Sequence, residues 1–260
     1  YAKGALSREH AWKIAYHRGR LSSTVSLLSS SGQGAMLATS LGEEAVQPYL
    51  ERLQNGKVTL ACINSPSSTT ISDDSQTISS LETAIKADGH FSRKLLVNVA
   101  YHSPQMKVIA GDYQAALGDI QSLAQGDSSV HMFSSLTGKR IVDNAARGTD
   151  YWVSNIVNPV RFSDALSSLL QYTEETSGRR ARKVLVDHLI EIGPHAALKG
   201  PTNQNVEVNY HTALERDKNA SETALIVAGK LFQFGYPIDI SAILQDRSGR
   251  DDFLVDLPPY

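Results

Sequence analysis

The succession of apolar runs and chain-breaking residues between Gly34 and Val99 restricts the fold of this sequence more than any other feature. Ala35-Met36-Leu37-Ala38-Thr39 is an apolar run of strand length, punctuated upstream by Gly32 and Gly34. Ser40-Leu41-Gly42-Glu43 has the spacing of a capping box and predicts a helix toward Leu53. Asn55-Gly56 turns the chain into a strand, Val58 to Asn64, which Ser65-Pro66-Ser67 breaks before another short strand, Thr69 to Ser72. Asp73 or Asp74 caps a helix through Ile78, Leu81 and Ile85 that Gly89 ends, and Leu95-Leu96-Val97-Asn98-Val99 reads as the last strand. Strand, helix, strand, strand, helix, strand is the order of a split βαβ, ferredoxin-like unit. Such a unit between helical flanks predicts a small lobe inserted into a larger one.

The flanks support a larger α/β lobe. Ser7 caps a helix, with Glu9 near its positive end, through Ala11, Trp12, Ile14, Ala15 and Leu21 to about Leu28. Beyond the small unit come a helix near Met106 to Leu123, a short strand from His131 to Ser134 and a turn at Thr137-Gly138-Lys139. Thr149 or Asp150 caps a helix through Tyr151, Trp152 and Ile156 that Pro159 stops. Arg161 to Tyr172 is amphipathic, Glu174 to Lys183 reads as a surface loop, and Val184 to Ile192 is apolar enough for a buried strand of a parallel sheet. Alternating helices and buried strands predict an α/β architecture. From Tyr210 onward, one amphipathic helix, Ala224 to Phe234, precedes irregular charged sequence that reads as a linker. Both ends read as cut from a longer polypeptide.

Composition narrows the function classes. Lys plus Arg number 25 against 27 Asp plus Glu, so no basic face for nucleic acid is expected. The single cysteine, Cys62, fits a reducing compartment, and a cytoplasmic location is expected. No apolar run approaches the roughly 20 residues that cross a bilayer, so no membrane partner is expected. Gly126-Asp127-Ser128-Ser129-Val130 lacks the second glycine of a nucleophile elbow, and Thr137-Gly138-Lys139 is a hairpin turn rather than a P-loop end, since position 133 is Phe. The eight histidines show no metal-ligand spacing, and no metal is expected.

His102 falls where a buried strand gives way to a helix, a position that often carries chemistry in α/β folds. Taken singly, His102 reads as a hydrogen-bonded loop histidine, Arg18 as a solvated helix charge and His195 as a helix cap.

Taken together, the motifs resemble a known family. Val99-Ala100-Tyr101-His102-Ser103 resembles the H-A-F-H-S segment of malonyl-type acyltransferases, and His17-Arg18-Gly19 the stretch carrying their carboxylate-binding arginine. Tyr151-Trp152-Val153-Ser154-Asn155-Ile156-Val157-Asn158-Pro159-Val160-Arg161-Phe162 is similar to the family's Y-W-x-x-N-L-x-x-P-V-R-F signature. Glu191-Ile192-Gly193-Pro194-His195-Ala196-Ala197-Leu198 resembles its E-x-G-P-H-x-x-L block, and Leu257-Pro258-Pro259-Tyr260 a post-acyltransferase segment. The wording around Ala11-Trp12-Lys13-Ile14-Ala15 looks most like fungal, highly reducing polyketide synthases.

The resemblance implies a truncated α/β-hydrolase-like large lobe, residues 1–32 and 99–209, with an inserted ferredoxin-like small lobe, 33–98, and a post-acyltransferase linker, 210–260. It implies that His102 is the catalytic base and that Arg18 and Tyr101 bind substrate, while the Asn155 main-chain carbonyl supports the imidazole. Tyr101 stands where a bulky ring accompanies malonyl. Malonyl-coenzyme A is the implied substrate. An acyl carrier protein with its phosphopantetheine and neighbouring synthase domains are the implied partners, and no cofactor is bound by the domain itself. The nucleophilic serine of the family's G-H-S-x-G elbow would lie before Tyr1, so the chain alone is expected to be inactive. The competing readings are a hydrolase with the same nucleophile chemistry and a non-catalytic docking lobe.

Overall fold

Ser7 opens the first helix as its position demands: its hydroxyl accepts the His10 amide hydrogen at 3.1 Å, and α1 runs Arg8–Ser22. The computed structural model describes residues 4–28, 33–53, 58–121, 129–143, 148–174, 182–183, 185–239 and 242–243. Where one helix to Leu28 was expected, Ser23 and Thr24 turn their hydroxyls back onto the Arg20 and Leu21 carbonyls. A separate short helix, α2 (Val25–Leu28), follows.

The expected six-element unit is present in order: β1 (Gly34–Thr39), α3 (Glu43–Glu51), β2 (Thr59–Ser65), β3 (Ser68–Asp74), α4 (Ser75–Ala87) and β4 (Ser92–Lys94). With β7 (Val160–Arg161) these strands make one sheet in the order β4-β1-β3-β2-β7. The first four strands are antiparallel to their neighbours, and β7 runs parallel to β2. Leu37 faces Ile71 across β1 and β3, and both are fully buried. Asp74 caps α4 by accepting the Gln76 and Thr77 amides. Ile78, Leu81 and Ile85 lie one helical stripe apart and pack on Leu37 and Ile71, each burial contributing about 1.5–3 kcal/mol.

Two details of this unit differ from expectation. Gly42, not Ser40, is the N-cap of α3. A side chain at Gly42 would begin 2.0 Å from the Pro66 carbonyl oxygen, so this close crossing sets where the helix starts. The Ser40 hydroxyl instead accepts the Phe91 amide at 3.1 Å and ties down the approach to β4. The last strand is Ser92–Lys94, not 95–99. Leu95 gives one more amide to the Met36 carbonyl, then the chain leaves the sheet with Leu96 exposed. Val99 is buried in a different core.

That second core is helical. Leu6, Ile14, Leu21 and Val25 meet Met106, Ile109, Tyr113, Leu117, Ile120 and Ile156, with Tyr101 and Trp152 packed at its edge. Its elements are α1, α2, a 3-10 helix (Pro104–Ile109), α5 (Ala110–Leu117) and α6 (Thr149–Val157). The Tyr113 hydroxyl donates to the Ile14 carbonyl at 3.2 Å, binding α5 to α1. Neither Thr149 nor Asp150 caps α6; Gly148 does. The Thr149 hydroxyl donates to the Gly118 carbonyl and accepts the Ile120 amide, while Asp150 accepts from Gln114. Both side chains bind the end of α5 instead. The Thr137-Gly138-Lys139 turn joins β5 (Met132–Ser134) to β6 (Lys139–Ile141) as an antiparallel hairpin, with Gly138 at φ +70. The amphipathic stretch is α7 (Phe162–Leu170), and β8 (Thr173–Glu174) pairs with β9 (Arg182–Lys183), so both ends of the stretch expected as a surface loop, Glu174 and Lys183, lie in strands. The Asn55-Gly56 turn, residues 175–181 and the segment from 244 onward lie outside the described residues, whereas the helix expected to run to Leu123 ends at Leu117, where Gly118 at φ +60 is its C-cap.

The chain divides into two compact units, Tyr1–Val186 with Lys199–Glu207, and Asp187–Leu198 with Val208–Tyr260. The first also holds α8 (Lys199–Asn205), whose Asn205 side chain donates to the Asn64 carbonyl. The second pairs β10 (His188–Glu191) with β11 (Asn209–Thr212) in parallel and carries α9 (Ala220–Gln233), capped by Asn219. The expected buried strand from Val184 to Ile192 is therefore shorter and open. Leu185 is 72% and Ile192 86% exposed, and both lie outside β10.

Gly34 is where the sheet comes up against the segment leading to His102. A Cβ there would sit 2.3 Å from the Ala100 nitrogen, which only backbone movement relieves. Gly34→Ala is expected to destabilise by about 1–3 kcal/mol. Gly19→Ala, in open space on α1, is expected to stabilise by about 0.5–1 kcal/mol. Urea denaturation midpoints check both, and equal shifts would show that the crossing at Gly34 is not tight.

Candidate active site

The turn from Ala100 to Ser103 joins the sheet unit to the helical core. The Ser103 hydroxyl donates to the Ala100 carbonyl at 2.7 Å and accepts the Gln105 amide, capping the 3-10 helix. From β3, the fully buried Ser72 donates its hydroxyl to the Tyr101 carbonyl at 2.8 Å. Between these tethers His102 takes φ +58, a left-handed conformation uncommon for a residue with a side chain. It is held there by its surroundings.

The His102 ring is buried, with Nδ1 2.9 Å from the Asn158 carbonyl oxygen. A carbonyl only accepts, so Nδ1 carries the proton and Nε2 presents a lone pair. Asn158 ends α6, and its own side chain donates to the Ser154 carbonyl at 2.8 Å. The carbonyl expected from Asn155 is thus supplied three residues later, with the Asn155 main chain a smaller influence. The Asn155 side chain has another partner: its Oδ1 accepts from Arg18 Nη1 at 2.6 Å. One turn of α6 therefore holds both the imidazole and the guanidinium.

Arg18 is half-buried on α1. Burial pulls its pKa down, and the neighbouring Tyr113 and Tyr101 act the other way. It remains a cation, since arginine is not deprotonated in proteins. The ion pairs among the described residues join Lys86 to Glu82, Arg161 to Asp164 and Lys218 to Glu215, and none involves Arg18. A neutral amide is its hydrogen-bond partner. Such a cation favours an anion beside it.

The same charge acts on His102. Burial first, and Arg18 second, push the imidazole below its ordinary value, against the raising effect of the Asn158 and Asn155 main chains. At pH 7 the ring is neutral and able to take a proton. Tyr101 is half-buried at the rim of the helical core and lies in the field of Arg18. Cys62, on β2, is no competing nucleophile, because burial pushes its thiol up to about 11. Among the described residues no group of three or more His, Cys, Asp or Glu could hold a metal. An open cleft lined by Gly118, Thr149 and Asp150 contains neither His102 nor Arg18.

In the second unit His195 is exposed, and its loop is pinned by Glu191. The Glu191 carboxylate accepts the Leu198 amide and the Tyr210 hydroxyl. Ser72, Asn158 and Glu191 are the supporting residues that motif reading did not single out for such a role.

Residues 1–233 match the acyl transferase domain family. The chain belongs to that family. The highly reducing polyketide synthase alnA of Emericella nidulans is 41% identical over 273 residues, which take in 100% of this chain and 11% of the relative. The highly reducing polyketide synthase dmxL2 of a Cryptosporiopsis species is 42% identical over 268 residues, again 100% of this chain and 11% of the relative. The chain thus spans about a tenth of these relatives. Among solved structures, the acyltransferase domain from module 8 of the salinomycin polyketide synthase is 25% identical with a TM-score of 0.75, covering 91% of this chain and 52% of that one. The malonyl CoA-acyl carrier protein transacylase of Clostridium perfringens is similar in fold, at 23% identity and a TM-score of 0.70 over 89% of this chain and 67% of that one.

In this acyl transferase domain the pairing of a depressed histidine with a cation gives a direct check. The His102 imidazole is expected to titrate below 6.5 by NMR, and replacing the cation in Arg18→Gln is expected to move that titration up. A titration that stays put in the variant would mean the two side chains do not share a site.

Proposed function

We propose that this acyl transferase domain belongs to a fungal-type, highly reducing polyketide synthase. It moves a malonyl unit from coenzyme A to the phosphopantetheine thiol of an acyl carrier protein. The observation that carries this reading is Arg18: a half-buried guanidinium with no carboxylate partner among the described residues, fixed by the same helix turn that orients a neutral His102. A hydrolase of neutral esters has no use for such a cation.

The chemistry follows from the residues present. A serine is a weak nucleophile near pH 7 and needs an adjacent base. The serine of the family's elbow, outside this sequence, gives its proton to His102 Nε2 as its oxygen bonds to the malonyl carbonyl carbon. The intermediate collapses with cleavage of the carbon–sulfur bond, and the imidazolium returns the proton to the departing coenzyme A thiolate. In the second half the carrier's thiol loses its proton to His102 and its sulfur bonds to the acyl carbon. The serine oxygen leaves and recovers the proton. Throughout, Nδ1–H stays on the Asn158 carbonyl, which fixes the tautomer but stabilises imidazolium less than a carboxylate would.

Arg18 receives the free malonyl carboxylate. Asn155 occupies one N–H, leaving an edge of the guanidinium for two parallel hydrogen bonds. Tyr101 crowds the position a 2-methyl substituent would take. The separate cores, one within residues 35–85 and one drawn from residues 6–25 and 99–156, support a ferredoxin-like small lobe at 33–98 inside an α/β-hydrolase-like large lobe. Neighbouring synthase domains are the other partners, the location is cytoplasmic, and the domain binds no cofactor of its own.

The test is malonyl transfer to a carrier protein by the complete domain, read by mass spectrometry. His102→Ala is expected to abolish it. Arg18→Ala is expected to lower malonyl kcat/KM by at least about a hundredfold and to relax selection toward acetyl, since each charge-assisted bond is worth about 1.5–3 kcal/mol. Unchanged malonyl preference in a competition assay would remove Arg18 from the mechanism. Tyr101→Ser is expected to admit methylmalonyl, a discrimination of about 1–3 kcal/mol, and no gain would show that another group sets the pocket.

A further inference from the structure

His102 is oriented through two routes. Its ring is held by the Asn158 carbonyl on α6. Its backbone is held by hydrogen bonds to the two carbonyls that precede it. Ser103 takes the Ala100 carbonyl from within the same turn, so that bond moves with the turn. Ser72 takes the Tyr101 carbonyl from β3, 29 residues away in sequence. β3 is the middle strand of the sheet, and Ser72 is paired in register with Met36 on β1 and Thr59 on β2.

The Tyr101 carbonyl belongs to the peptide plane whose rotation sets φ of His102. Because that φ is +58, release of the plane allows the backbone to relax toward the ordinary negative range, which swings Cβ and the ring away from Asn158 and Arg18. Ser72 is 0% exposed, so its hydroxyl faces no bulk solvent that could replace the Tyr101 carbonyl as its partner. Gly34, at the start of β1, lets the sheet close to within van der Waals reach of Val99 and Ala100 and so brings Ser72 to the turn.

We propose that Ser72 is a positioning residue: its hydroxyl bond to the Tyr101 carbonyl keeps His102 in the left-handed conformation that aims Nε2 at the reacting atoms. The proposal rests on the reading of His102 as the base of an acyl transfer. Ser72 touches no substrate and acts only through the peptide it holds. Substrate binding by Arg18 is set separately, by α1 and Asn155, so the two kinetic parameters should part.

The test uses the complete acyltransferase domain with malonyl-coenzyme A and a carrier protein. Ser72→Ala is expected to lower kcat about ten- to a hundredfold with KM for malonyl-coenzyme A unchanged. The acid limb of its rate profile is expected to move up toward 6.5, as the ring leaves its buried place beside Arg18. Ser72→Thr, which retains the hydroxyl, is expected to retain kcat. If the alanine variant does not fold, Ser72→Cys carries the same expectation, since it keeps the volume and donates only weakly. An unchanged kcat and acid limb, with or without a lower melting temperature, overturns the proposal while His102→Ala remains inactive. A raised KM at constant kcat also overturns it, because it places Ser72 in binding. Full turnover by His102→Ala would instead overturn the underlying reading of the base.

Discussion

A half-buried guanidinium whose hydrogen-bond partner is an amide oxygen dictates much of what surrounds it. Burying a cation is costly unless it is paired, and Arg18 has only Asn155 Oδ1 among the described residues. Its position is therefore fixed by structure rather than by a counter-ion. α1 carries it, Tyr113 binds α1 at the Ile14 carbonyl one turn before it, and α6 supplies the amide. The neighbouring histidine feels the charge and stays neutral. One turn of α6 thus holds a half-buried cation beside a neutral imidazole.

Two cores that do not share residues meet at the turn bearing His102. The sheet unit contributes Ser72 and the glycine approach at Gly34; the helical unit contributes Asn158 and the buried Val99 and Met106 on either side. Sheets and helical clusters are stiff relative to loops, so a short turn spanned between them inherits their rigidity. This explains how a non-glycine residue is kept at φ +58, a conformation that costs about 1–3 kcal/mol and reverts unless over-determined. Strain at His102 is the consequence of anchoring one turn to two bodies at once.

Much of this was legible in the residues. Short strands bounded by Gly, Pro and Ser, and helices with Ile78, Leu81 and Ile85 on one stripe, betrayed the six-element unit and its order. Asp74 and Ser7 were readable as caps because capping depends on local spacing. The misreadings share a different cause. In the run from Leu95 to Val99 only Val99 is buried, and it serves the helical core rather than a continued sheet. Ser40 had the spacing of a cap, but the crossing at Pro66 moved the helix start to Gly42. Val184 to Ile192 carries the composition of a strand flanked on both sides, whereas among the described residues it has one neighbour. At the site, His102 and Arg18 had motif signatures. Asn158 did not, since a main-chain carbonyl leaves no mark on residue identity, and Ser72 is one of many hydroxyl residues in β-strands.

The choice of a carbonyl rather than a carboxylate behind His102 also has an electrostatic logic on the proposed reading. A carboxylate at the place of the Asn158 oxygen would stand close to Arg18, satisfy part of its charge and compete with an acidic acyl group for it. It would also raise the imidazole above its present value. The neutral carbonyl leaves Arg18 unsatisfied until a substrate carboxylate arrives. On the proposed reading that carboxylate would offset the Arg18 charge, which after burial is the second cause lowering the imidazole, and make it a stronger base with the correct acyl group seated. A neutral acyl group makes no such correction. On the proposed reading selection and proton transfer are coupled through a single cation, without any movement of the backbone that carries it.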